Sequence, residues 1–152
     1  MRIHSWVVCA VLSLAGCASV PKGDAQRDAM LKNFMPRSGV AGVYVYRKEI
    51  IGGWNTMAVE IDNRPIGRIV DKTYLFAEVA PGPHTILGRA DGKVVGSISI
   101  DAIPGKLYYV KQEPKGARLF ALDSTLTRMD DIEAQHEIKK TTLVAEQPAS
   151  AP

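Results

Sequence analysis

The sequence predicts a mainly β protein: a single β-sandwich of seven to eight strands followed by a C-terminal helix, and preceded by an export signal and a tether. Three observations carry that expectation. From Val40 onward, short apolar stretches are separated by turn signals at close intervals, the pattern of an all-β sandwich or barrel. Several of these stretches alternate apolar and polar residues with a period of two. A helical pattern appears only near the end of the chain. With 152 residues, 46% hydrophobic and 23% charged, the composition is that of an ordinary globular chain, for which one core suffices.

The opening Met1-Arg2-Ile3-His4-Ser5 carries one firm positive charge, and the run from Trp6 to Leu14 is apolar and uncharged. That is the build of a signal peptide, and it is too short for a spanning helix, which needs roughly 20 apolar residues. At its end, Leu14-Ala15-Gly16-Cys17 resembles a lipobox, the tetrapeptide recognised by bacterial lipoprotein processing enzymes. The resemblance implies cleavage before Cys17, a diacylglyceryl thioether on its sulfur, and a fatty acyl chain such as palmitate on the freed amine. Several acyl chains, each burying methylenes worth about 0.8 kcal/mol apiece, make such an anchor effectively permanent. Ala18, rather than an aspartate, follows Cys17, which resembles lipoproteins sorted to the outer membrane and facing the periplasm. Cleavage also removes Cys9, and lipidation takes the sulfur of Cys17. No disulfide is then available, although an exported compartment would permit one, and the domain must stand on its hydrophobic core.

Residues 17–38 read as the lipidated cysteine and a polar tether. Within it, Asp24 to Phe34 can form a short helix capped by Asp24, stable only if it docks onto the domain. In the first strand Ala41, Val43 and Val45 alternate with Gly42, Tyr44 and Tyr46. Met57, Val59 and Ile61 alternate with more polar neighbours in the second, the cleanest period-two stretch here. Asp62-Asn63-Arg64-Pro65 is a turn, since Asp and Asn bond their own backbone and Pro fixes φ; a strand resumes over 66–70 and another covers 74–79. Pro81-Gly82 suits a type II turn before 84–90, and Asp91-Gly92 is a hairpin signal of the I′ kind before 94–100. The stretch 74–100 thus reads as a three-strand meander, with Val94, Ile98 and Ile100 on one face. Pro104-Gly105 turns the chain into a strand over 107–112, and Lys115-Gly116 leads to a last one over 118–122. A helix is expected from about Arg128 to Lys140, with Thr127 as its cap. Acidic residues lie early in it and lysines late, which suits the helix dipole. The domain therefore spans 39–140, and residues 141–152 are expected to be a disordered tail.

Composition and motifs narrow the function. Losing Arg2 leaves only a slight excess of basic over acidic side chains, too small to argue for nucleic acid. His84 and His136 each lack a further ligand at metal spacing, so no metal and no cofactor is expected. Gly96-Ser97-Ile98-Ser99-Ile100 lacks the elbow that exposes a serine nucleophile, and no phosphate-cradling glycine loop is present. With no nucleophile, base and orienting group visible, a non-enzymatic role is expected. The most suggestive residues are Tyr44 and Tyr46, side by side on the face opposite Val43 and Val45, with Arg47 and Trp54 nearby. They are candidates for a surface that binds a sugar ring or a protein, against the simpler reading that they pack within the sheet.

Four stretches in order carry a family resemblance: Ala41-Gly42-Val43-Tyr44-Val45-Tyr46-Arg47; Val59-Glu60-Ile61-Asp62-Asn63 with Ile66-Gly67 and Thr73-Tyr74-Leu75; Val79-Ala80-Pro81-Gly82-Pro83-His84-Thr85; and Pro104-Gly105-Lys106-Leu107-Tyr108-Tyr109-Val110. The chain resembles a family of small bacterial envelope lipoproteins classed as domains of unknown function, over roughly 39–112 and more loosely to 140. The resemblance implies a transthyretin-like β-sandwich and brings no catalytic residues. The expectation is a membrane-anchored, non-catalytic binding or accessory module of the envelope, with an unidentified envelope protein or glycan as its partner. Its rivals are an envelope hydrolase using His84 in a rim pocket, and a structural or stress-related envelope component.

Overall fold

A computed structural model describes residues 20–48, 56–115 and 123–146; the expected signal peptide, Cys17, Trp54 and the strand expected at 118–122 lie outside the described residues. The described chain is mainly β. Nine strands run in order: β1 (Ala41–Arg47), β2 (Met57–Ile61), β3 (Arg64–Ile69), β4 (Thr73–Val79), β5 (Gly82–Ala90), β6 (Lys93–Ala102), β7 (Leu107–Lys115), β8 (Asp123–Arg128) and β9 (Thr142–Leu143). Helix α1 (Ala25–Leu31) precedes them and α2 (Asp131–Ile138) lies between β8 and β9. One sheet has the order β8-β7-β1-β4-β9 and the other β3-β2-β5-β6.

The alternation read from the sequence places the core between these sheets. Val43 and Val45 of β1, Leu75 of β4 and Val110 of β7 meet Val59 of β2, Ile69 of β3 and Ile86 of β5, all fully buried. In β1, however, every residue is buried. It is a central strand, antiparallel to β4 and parallel to β7, and its tyrosine face is covered in turn by the two helices. That face forms a second core of Tyr44, Tyr46, Tyr74, Phe76 and Tyr109 against Phe34, Ala134, Ile138 and Leu143. The architecture is a two-sheet sandwich with a helical layer on one side.

Turn chemistry sets the connections. Asp62 and Asn63 both have positive φ (52° and 63°), making the two-residue I′-like hairpin between β2 and β3; Pro65 is tolerated because β3 is an edge strand. Asp91 and Gly92 likewise have positive φ and join β5 to β6. Gly67 in β3 has φ +151°, and a methyl group there would lie 2.6 Å from Leu75 Cδ2 in the core. Gly67→Ala is expected to lower unfolding stability by about 2 kcal/mol through overpacking and backbone strain, measured by urea denaturation.

Several sequence expectations are corrected. The stretch 74–100 is not a meander: β4 belongs to one sheet and β5 to the other, so Ala80-Pro81, with Gly82 at φ +118°, carries the chain across the sandwich. Val94 is half-exposed, because the register shifts between Gly88 and Arg89 and leaves Val95 as an extra residue turned to the core. Helix α2 starts later than expected. Thr127 and Arg128 finish β8, and Asp130 is the cap, its side chain accepting from Ile132 N at 3.0 Å.

Both expected boundaries also move. Asp24 does cap α1, accepting from Arg27 N at 2.8 Å, but the segment 20–38 is packed onto the domain rather than hanging as a tether. Lys22 bridges Val144, and Gly23 N donates to the Leu143 carbonyl at 2.8 Å. The expected tail likewise begins as structure. Thr142 and Leu143 run parallel to β4, Val144 is buried, and Ala145 N donates to the Pro21 carbonyl at 2.9 Å. The two ends secure each other through backbone bonds, which leave no signature in side-chain composition.

Candidate functional site

The tyrosine surface expected from the sequence is corrected by its burial. Tyr44 and Tyr46 are 1% and 0% exposed, so neither offers a ring face to a ligand. Tyr44 stacks on Tyr109 (5.3 Å between centroids, 21° between planes), meets Phe34 and Phe76, and its hydroxyl donates to the Leu31 carbonyl at 2.8 Å. Burial pushes its hydroxyl pKa well up from the usual 10.0. Arg47 continues the inward face of β1, is 3% exposed, and pairs with Asp71 at 2.8 Å. The bland reading of these residues as packing is the one the structure supports.

Tyr46 instead helps lock α2 to the sheet. Its hydroxyl donates to Glu137 Oε2 at 2.8 Å, Lys48 Nζ donates to Glu137 Oε1 at 2.6 Å, and Lys111 Nζ lies 3.5 Å from Oε2. Glu137 and Lys111 are both buried. Burial pushes the Glu137 carboxyl up, but the bonds from Lys48 and Tyr46 and the charge of Lys111 outweigh it and hold the pKa below the usual 4.5.

The open concavity with polar groups lies on the other flank of the sandwich. A groove of about 410 Å³ runs between β3 and β4, with Ile61, Ile66, Ala77 and Val79 as apolar walls and Arg64, Glu78, Asp62 and His84 at its rim. Two strand edges border it. Among the described residues, β3 pairs only with β2, and β9 covers β4 only at Thr73 and Tyr74. The carbonyls of Lys72 and Tyr74 accept from Thr142 N and Val144 N. By the two-residue repeat of a strand, Phe76 and Glu78 therefore aim their backbone groups past the end of β9.

At one end of this groove, two distant residues meet. His84 Nδ1 donates to Asp62 Oδ2 at 2.5 Å, and its Nε2 donates to the Ala80 carbonyl at 2.7 Å. Asp62 Oδ1 accepts from Thr85 N at 2.9 Å. With Asp62 ionised both partners of the ring are acceptors, an arrangement that favours the imidazolium, which carries a proton on each nitrogen. In that state it has no lone pair with which to take a proton from water or substrate; it clamps the β2–β3 hairpin to the crossing between sheets. The Asp62 bond raises the His84 pKa above the usual 6.5, against a smaller opposing effect of burial. The Thr85 and His84 bonds lower that of Asp62 from 3.8.

A pH dependence follows. A raised histidine pKa contributes stability that is fully present below pH 6.5 and lost as pH rises through the folded value. A lowered aspartate contributes above pH 3.8 and is lost as pH falls through its folded value. The clamp is therefore strongest between these limits. His84→Ala should flatten the decline of melting temperature on going from pH 6 toward pH 9; an unchanged slope would show that the pair does not contribute.

His136 is exposed, and Ser97 and Ser99 are exposed strand residues. Sequence reading missed the pairing of Asp62 with His84, because a turn residue and a strand residue 22 positions apart share no spacing signal. It also missed Glu137, which looks like any solvated helix carboxylate.

Comparison with known proteins gives one family. The family described as "Protein of unknown function (DUF2846)" matches residues 37–122, the span from the approach to β1 to the approach to β8. No curated protein matches the chain.

Proposed function

Since the chain belongs to the DUF2846 family of proteins of unknown function, we propose that it is a bacterial envelope lipoprotein, anchored through Cys17, whose sandwich is a non-catalytic binding or accessory module. The observation that carries this reading is Leu14-Ala15-Gly16-Cys17 directly after a short uncharged apolar run. Ala18 favours the outer membrane, with the domain on the periplasmic side. The groove between β3 and β4, apolar within and flanked by two strand edges, is the place on which an extended segment of an envelope protein would pair; glycan is the alternative ligand.

Cell fractionation tests the anchor. Wild-type protein should stay in the membrane pellet through a high-salt wash, and Cys17→Ala should be released with the soluble fraction. Equal partitioning of the two counts against the reading.

A hydrolase acting through His84 is the second reading, favoured by the polar rim of the groove. It requires the imidazolium to give up a proton before it can serve as a base. Hydrolysis of envelope-derived esters that His84→Ala abolishes, without a loss of folding, would establish it in place of the binding module.

A further inference from the structure

The N-terminal segment is fixed to the domain much closer to Cys17 than a free tether would allow. Pro21, Lys22 and Gly23 are bonded to Ala145, Val144 and Leu143, and Val20 is the third residue after Cys17. At 3.3–3.6 Å per extended residue, the chain spans at most about 10 Å from Cys17 to the folded domain. An anchored Cys17 therefore leaves the domain little freedom to turn. The face around Val20 is the one brought to the bilayer.

That face has the chemistry of a lipid-headgroup contact. A groove of about 280 Å³ opens there between Val20-Pro21-Lys22, the turn from β3 to β4, and β9, with Val70, Leu143 and Val144 as apolar walls. Lys22 and Lys72 flank it and are exposed. Lys140, also exposed, lies two residues before Thr142, whose N–H donates to the Lys72 carbonyl. The nearby carboxylates are engaged: Asp71 with Arg47, Asp28 with Lys32, Glu146 with Arg27. Among the described residues, Lys22, Lys72 and Lys140 form no ion pair.

We propose that this face is a membrane-apposed surface, with Lys22, Lys72 and Lys140 meeting the phosphates of anionic phospholipids and the apolar groove taking up the adjoining glycerol region. The proposal rests on the anchored reading of Cys17, but its test does not require native lipidation. Cys17 is the one thiol in the chain from residue 17 onward, so a protein made from Cys17 to Pro152 can be coupled through it to a maleimide lipid. Vesicles would contain phosphatidylglycerol and phosphatidylethanolamine, or phosphatidylcholine alone, and lysine acetylation would be read by mass spectrometry.

The expected result is severalfold protection of Lys22, Lys72 and Lys140 on the anionic vesicles relative to the neutral ones, reversed by salt, with Lys106 at the far end of the sandwich unchanged. In the uncoupled protein, each Lys→Gln change at these three positions should lower partitioning to anionic vesicles about fivefold at low salt. Equal acetylation of the three lysines on both vesicle types would overturn the proposal, as would equal protection of Lys106. Native chains found without lipid at Cys17 would instead overturn the anchor, leaving the vesicle result to stand by itself.

Discussion

Tyr44→Ala is expected to destabilise the domain by about 4 kcal/mol. The ring is 1% exposed, is packed against Tyr109, Phe76 and Phe34, and its hydroxyl satisfies the Leu31 carbonyl. Truncation removes an aromatic side chain from a close-packed site and leaves a cavity, for which losses of about 3–5 kcal/mol are typical. It also removes one of the two donors to the Leu31 carbonyl, which keeps its bond from Phe34 N at 3.0 Å. Tyr44→Phe separates the two contributions: it keeps the ring and loses one hydrogen bond, at a cost of about 1 kcal/mol. Urea unfolding monitored by circular dichroism reads both. A ligand-binding tyrosine on an open sheet face would give a different pair of numbers, with both changes within about 0.5 kcal/mol of wild type. The series therefore decides between core and surface for the face that the sequence singled out.

Glu137→Ala is expected to cost about 3–4 kcal/mol and to loosen α2 from the sheet. Glu137 is 4% exposed and accepts from Tyr46 and Lys48, with Lys111 beside it. Removing Glu137 takes a charge partner from the buried Lys111 and an acceptor from Tyr46, while the half-exposed Lys48 returns to water, and such a one-sided loss is worse than replacing the buried pair with apolar groups. Glu137→Ala combined with Lys111→Met should therefore be less destabilising than the two single losses added together, a coupling that a double-mutant cycle measures. The acid limb of stability should change as well. The Glu137 pKa is held below 4.5, so its contribution is present above pH 4.5 and lost as pH falls through the folded value. In Glu137→Gln the fall in stability below pH 4.5 should be shallower. Lys111 has a second carboxylate, Glu113, at 3.1 Å, which limits the damage in either variant.

The sandwich was legible because its signals are local. Met57, Val59 and Ile61 alternate as the sequence indicates, with the alternate residues of β2 half-buried, and Asp62-Asn63 and Asp91-Gly92 turn where their side chains and positive φ values require. What escaped was non-local. Whether a turn joins strands of one sheet or crosses to the other depends on which partners the strands find, so Pro81-Gly82 gave the place of the turn and not its destination. The extra residue at Val95 reversed the inward face only at the start of β6, with no cue beyond the glycines opposite each other at 88 and 96.

The tyrosine face illustrates the same limit in energetic terms. The alternation puts Val43 and Val45 inward and Tyr44 and Tyr46 outward, and both directions hold. Whether the outward face is a surface depends on what covers it. The covering residues Leu31, Ala134 and Ile138 sit in two helices of seven and eight residues, each too short to be stable alone, and Phe34 lies in the loop just after the first. Their apolar stripes are narrow and interrupted by charge, and Glu137 belongs to the buried side despite its charge. In the groove between β3 and β4, His84 was legible as a candidate and Asp62 only as a turn residue; their meeting is a property of the folded sheets.

Incorporation of labelled fatty acid into the protein in growing cells tests the central claim most directly. The wild-type chain should carry the label on the N-terminal peptide beginning at Cys17, and Cys17→Ala should carry none. Label retained by Cys17→Ala, or a mature wild-type chain whose Cys17 bears no lipid, would contradict the anchored envelope protein proposed for this fold.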